Sequence, residues 1–201
     1  MAILASVFLF PLWLAAALNP HLLPDYLQFI GVKEQAKIGL LWQALIGEVA
    51  VDILRMAAIH TPSPLATALG LIAVFMLGDI AIEVGLFTPE VIMYLAIAAT
   101  GTFATPSYEL AQANRLVRIF LVICVGLFNF WGLAVGILLI FILLLRTKSF
   151  GVPYLWPLIP LDFDALKTIL IRYPVPIANL RPSIFKPLDR VRQPQARKNS
   201  E

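Results

Sequence analysis

Residues 116–145, LVRIFLVICVGLFNFWGLAVGILLIFILLL, decide the class of this chain. They read as one apolar run thirty residues long, a count that includes Arg118, where the polar connector before it ends. As a straight helix the run would be about 45 Å long, against a hydrocarbon core of roughly 30 Å. The excess length predicts a break, and Gly126, Asn129 and Gly132 mark its place. The whole composition agrees with a bilayer as solvent: 60% of the 201 residues are hydrophobic and 13% charged, which leaves too little polar surface to cover a water-soluble globule. The expected fold is all-α, a polytopic membrane bundle of about four to five helices over residues 1–148, followed by an interfacial and cytoplasmic tail over 149–201.

The net charge of +3 is unevenly divided. Residues 146–201 hold ten Lys/Arg and four Asp/Glu, so the basic part adjoins the last apolar run, and eight of the fifteen prolines lie there too. Such a tail belongs on the cytoplasmic side by the positive-inside rule and gives no reason to expect nucleic acid. Prolines exclude most helix from it, with a short surface helix expected over Asp162–Arg172.

N-terminal to the long run, helices are expected at Met1–Leu18, 39–60, Ala66–Phe87 and 90–105. Residues 19–38 form a boundary segment, and a polar connector from Pro106 ends in Arg115 and Arg118. The first helix starts almost inside hydrocarbon, as expected of a fragment or a truncated gene product. A signal peptide fits less well, because no Lys or Arg precedes the run and Pro11 interrupts it. The lone Cys124 excludes an intramolecular disulfide.

No glycine-rich nucleotide loop, HExxH, GxSxG or paired CxxC is present, and His21 and His60 sit beside prolines at segment ends. Neither an enzyme nor a cofactor or metal site is expected. The unusual feature is acid inside apolar helices. Glu48, Asp52 and Arg55 share one face of 39–60, and Asp79 and Glu83 lie one turn apart on the next helix. A charge at the centre of a membrane helix costs roughly 2.5–3.5 kcal/mol on insertion scales, so each acid needs water, a cation or a partner. One reading is a cation path, with acids repeated around an oligomer axis and Thr100 and Thr102 on the small-residue helix adding hydroxyls. The other pairs Asp52 with Arg55 and bonds the remaining acids across helices or at the interface.

Three stretches also resemble a known family: RMAAIHTPSPLATALG (55–70), GLFTPEVIMYLAIAATGTFATPSYELAQANRLVR (85–118), and SFGVPYLWPLIPLDFDALKTILIR (149–172) followed by RPSIF. Together they closely resemble the spore germination receptor A-subunit (GerA) family of endospore-forming bacteria. The resemblance covers nearly the whole chain. It implies a multi-pass protein of the spore inner membrane, active in germination, that assembles with itself into a ring conducting monovalent cations across the lipid bilayer. Other germination membrane proteins are implied partners, and a non-conducting scaffold that docks them is the alternative. Family members begin with a sizeable cytoplasmic domain that has no counterpart here. Nutrient-sensing members usually show a Glu-Ala-Gly-Ile-Arg type segment where this chain has Met56–His60, and an Asn-Tyr-Glu motif where it has Ser107-Tyr108-Glu109. The resemblance supplies no catalytic residues.

Overall fold

In the computed structural model the described residues are 2–33, 36–60, 72, 76–161, 163 and 166. They form two units, residues 1–139 and 140–201. The first unit contains helix α1 (Ala2–Leu18), two short 3₁₀ turns at Pro20–Leu22 and Asp25–Ile30, α2 (Leu40–His60), helical residues 76–83 (α3), α4 (Pro89–Phe103) and most of α5 (Tyr108–Arg146). The all-α class holds. Residues 66–71 and 73–75 of the expected helix Ala66–Phe87 lie outside the described residues, as does all of the expected surface helix Asp162–Arg172 except residues 163 and 166.

The core of this unit is α1 laid against α4, with α2 also on α4. Phe10, Trp13 and Leu14 of α1 and Val91, Leu95 and Ala98 of α4 are buried. Trp13 stacks on Tyr94 with centroids 4.8 Å apart and donates its indole N–H to Ile30 O at 2.8 Å. The ring thereby fastens the boundary segment to the helix pair, since a buried indole N–H needs an acceptor. A second polar fastening starts from Gln43, whose amide donates to Ile38 O at 2.6 Å and accepts from Thr88 N at 2.9 Å. It ties the start of α2 to the N-cap of α4.

The connector expected from Pro106 to Arg118 is helix instead. Only Ala104–Ser107 links α4 to α5, and Arg115 and Arg118 lie well inside α5. The physical reason is local. Ser107 Oγ accepts from Leu110 N at 3.3 Å and Ser107 O from Ala111 N at 3.0 Å, so the helix is capped before its polar residues rather than after them.

The break in the long run is found at Asn129, at φ 53° and ψ −136°. These angles are those of the first central residue of a type II′ turn, about +60° and −120°. The chain doubles back there. A Cβ on Gly132 would collide with the Cys124 carbonyl, and one on Gly136 would lie 2.8 Å from the Leu121 side chain. A straight helix would hold Cys124 and Gly132 about 12 Å apart. Gly132 and Gly136, four residues apart, therefore form the small-residue face on which the second arm meets the first.

By composition and total length, Tyr108–Arg146 is the one element among the described residues suited to crossing a membrane, with both arms counted together. The apolar helix at Ile3–Leu18 is shorter, and α2 carries three charges. A bundle crossing several times therefore rests on more than these elements. In the second unit, a two-stranded hairpin pairs β1 (Lys148–Ser149) with β2 (Val152–Pro153) where only irregular chain was expected. Phe150 and Gly151, at φ 51° and 79°, make its turn.

The reversal predicts a distance. Spin labels at the exposed positions 120 and 137, in a Cys124→Ala background, should lie near the spacing of packed helices, about 8–10 Å between axes. A pulsed-dipolar distance near 26 Å, that of 17 residues of straight helix, would contradict it.

Candidate functional site

The three charges of α2 recur every three or four residues, Glu48, Asp52 and Arg55, and so form one stripe along the helix. On the first arm of α5, Tyr108, Arg115 and Arg118 form a matching stripe. The helices run antiparallel, as the Leu41 side chain lying over Gly126 also shows. Three rungs result: Glu48 with Arg118, Asp52 with Arg115, and Arg55 over the Tyr108 ring at 5.0 Å from its centroid.

The first rung is fully enclosed, with Arg118 0% and Glu48 1% exposed. Arg118 Nε donates to Glu48 Oε1 at 2.5 Å and Nη2 to Oε2 at 2.8 Å, the fork geometry in which guanidinium and carboxylate bind most strongly. Its remaining nitrogen, Nη1, donates to Ser6 O at 2.8 Å, Thr102 Oγ1 at 3.2 Å and Ala98 O at 3.4 Å. One guanidinium thus binds α1, α2, α4 and its own helix together. The Ser6 carbonyl lies beside the turn that Pro11 perturbs, since a proline ring removes the donor to the residue four positions earlier and crowds it. Thr102 in turn donates to Ala98 O at 2.9 Å, leaving its oxygen free to accept from Arg118.

The expected site residues therefore separate. Glu48 and Thr102 belong to the enclosed rung, and Asp52 to the half-enclosed one beside it. Asp52 pairs with Arg115, not with Arg55 as one reading expected; the cross-helix guanidinium reaches the carboxylate, while Arg55 is drawn to Tyr108. Asp79 and Glu83 are exposed on α3, and no ion pair reaches either among the described residues. Thr100 is exposed, its hydroxyl donating to Ala96 O at 2.9 Å. Arg115 and Arg118 are the functional residues that sequence reasoning passed over. The signal was present: the cost that singled out buried acids applies equally to an arginine inside an apolar run.

A cavity of about 580 Å³ lies between the end of α1, the boundary segment and the start of α2, lined by Ala17, Leu23, Gln28, Ile38, Gln43 and Thr88 among others. No charged side chain lines it among the described residues. No cluster of three metal-ligating side chains occurs among them either. The arrangement holds its two carboxylates with guanidiniums, which do not give up protons. It pairs two of its three guanidiniums with carboxylates inside an apolar body, and through Arg118 it fixes four helices.

The model of the Bacillus/Clostridium GerA spore germination protein family matches residues 1–184. Stage V sporulation protein AF of Bacillus subtilis (strain 168) is 50% identical over 192 residues, which cover 96% of this chain and 39% of that protein. Spore germination protein KA of the same organism is 34% identical over 151 residues, 75% of this chain and 28% of that protein. The uncharacterized membrane protein YfkQ, also from Bacillus subtilis (strain 168), is 25% identical over 169 residues, 83% of this chain and 33% of its own length. The chain thus spans at most 39% of the length of these three relatives. No solved structure matches it.

The enclosed rung has a measurable consequence. Removing one partner leaves an uncompensated buried charge, so Arg118→Met alone should cost about 3–5 kcal/mol. Glu48→Leu combined with Arg118→Met should recover most of that loss. Denaturant unfolding of the chain in detergent micelles gives the cycle, and a double variant as unstable as the sum of the two single ones would deny the coupling.

Proposed function

Since the chain belongs to the GerA family of spore germination proteins, we propose that it is the membrane-embedded part of a homo-oligomeric cation conductor acting in germination. In this reading it is a multi-pass protein of the spore inner membrane with its basic tail in the cytoplasm. Monovalent cations pass along it, and other germination membrane proteins are its partners.

The observation that carries the proposal is α3. Asp79 and Glu83 stand one turn apart, exposed and without an ion pair among the described residues, in a helix whose Met76, Leu77 and Ile80 are exposed as well. A helix of this kind needs both an apolar neighbour and a wet one. Copies arranged around an axis supply both, since the apolar positions meet protein or lipid while the acids ring an aqueous path that attracts cations. A single chain of short helices has too few walls to enclose such a path alone. Glu48 and Asp52 drop out of the attracting set because Arg118 and Arg115 neutralise them, which narrows the electrostatic role to Asp79 and Glu83.

That same neutralisation favours a second reading, a scaffold that docks germination proteins without conducting, in which the basic tail does the binding. Conductance in reconstituted bilayers separates the two. Asp79→Asn with Glu83→Gln should lower cation conductance about tenfold or more, the scale on which focused charge raises local counter-ion concentration. Conductance that is unchanged removes Asp79 and Glu83 from the mechanism. Under the scaffold reading, deletion of residues 181–201 abolishes co-purification of partners and changes no ion flux.

A further inference from the structure

The ladder between α2 and α5 is not neutral. Its three guanidiniums, Arg55, Arg115 and Arg118, face two carboxylates, and both carboxylates are taken by the arginines of α5. Among the described residues the uncompensated charge falls on Arg55, which is only 8% exposed. Its Nη1 has no hydrogen-bond partner among the described residues. The Tyr108 ring beneath it offers a π face, which attracts a cation and leaves that N–H unanswered.

A second donor is open too: Arg115 Nε, on the neighbouring rung, lacks an acceptor among the described residues. Tyr108 is also the first residue of α5, so Arg55 sits at the positive end of a long helix, where an anion is further favoured. Glu109, the residue after Tyr108 on α5, is exposed and accepts from Ser107 Oγ at 2.8 Å. It serves the cap, not Arg55.

We propose that Arg55, at the start of α5, binds a phosphate oxyanion, supplied by the headgroup of an anionic phospholipid. The guanidinium fork matches two phosphate oxygens, which an isolated ammonium does not. The surroundings select the lipid over free phosphate: Ile53 and Met56 of α2 and Leu116 of α5 are exposed apolar side chains next to the site, suited to acyl chains. Tyr108, half exposed, has the aromatic character found at headgroup depth. The source of the phosphate rests on the membrane reading above; the oxyanion site itself does not.

The test uses the full chain in nanodiscs of phosphatidylcholine and phosphatidylglycerol, with retained lipid counted by native mass spectrometry. The wild type should retain phosphatidylglycerol about fivefold over phosphatidylcholine, the scale of one basic group at a charged surface. Arg55→Gln should abolish the preference and Arg55→Lys keep part of it. Lys148→Gln, on the exposed β1 strand, should change nothing. A second arm reads the thermal shift produced by inorganic phosphate in neutral detergent. A phosphate shift that requires Arg55, without lipid preference, supports the oxyanion site and moves its source to solution. Equal lipid retention by wild type and Arg55→Gln, with no phosphate shift, overturns the proposal. So does a variant that loses self-association while neither lipid nor phosphate matters, because a carboxylate of a second copy then fills the place. Flotation with phosphatidylcholine vesicles checks insertion first: a wild-type chain that fails to float refutes the membrane reading, and the phosphate arm still decides the site.

Discussion

The bidentate pair between Arg118 and Glu48 is the constraint on which the rest of the first unit depends. A guanidinium with no exposure to solvent must have every nitrogen answered, and here the answers come from α1, α2 and α4 at once. In a lipid-facing protein this carries more weight than in water. Lipid tails are as apolar as leucine, so burial alone gives little drive for helices to associate, and close packing and polar bonds decide the arrangement. The pair is not therefore a source of large net stability, because desolvating both groups offsets much of their attraction. Its contribution is to make one helix arrangement far cheaper than any that leaves either charge alone.

The second constraint is steric. The chain turns back at Asn129 only because Gly132 and Gly136 give the returning arm no side chain where it crosses Cys124 and Leu121. On the membrane reading proposed above, this would solve the mismatch between a thirty-residue apolar run and a bilayer of ordinary thickness: two shorter arms replace one helix too long to fit upright. The first arm keeps its polar stripe against α2. Large apolar side chains such as Leu127, Phe128 and Trp131 at the bend are left exposed, where lipid or a neighbouring protein would meet them.

Much of this was legible in the sequence, and what was not has identifiable causes. The helices at Leu40–His60 and Pro89–Phe103 lie within about two residues of where periodicity and prolines put them. That the long run breaks followed from its length, and Gly126, Asn129 and Gly132 bracketed the place, which is Asn129. The start of α5 was hidden because its polar residues, PSYELAQANR, look like a connector, whereas the cap is made by Ser107 at their beginning. That error concealed the cations that Glu48 and Asp52 required. The spacing of Glu48 and Asp52, matched in reverse by Arg118 and Arg115, is the pattern an antiparallel pairing produces, but one sequence does not say which helices are neighbours. The small hairpin after Arg146 was missed because prolines outweighed the Phe150-Gly151 turn.

The most direct measurement is the separation of the Arg118 guanidinium and the Glu48 carboxyl in the bilayer-embedded chain, by dipolar recoupling between ¹⁵N-arginine and ¹³C-glutamate with Arg118→Lys as the assignment control. Strong recoupling, corresponding to nitrogen and carboxyl carbon within about 4 Å, with the carboxyl protected from water-edited transfer, is the predicted result. A Glu48 carboxyl in contact with water and showing no recoupling to Arg118 would contradict the account.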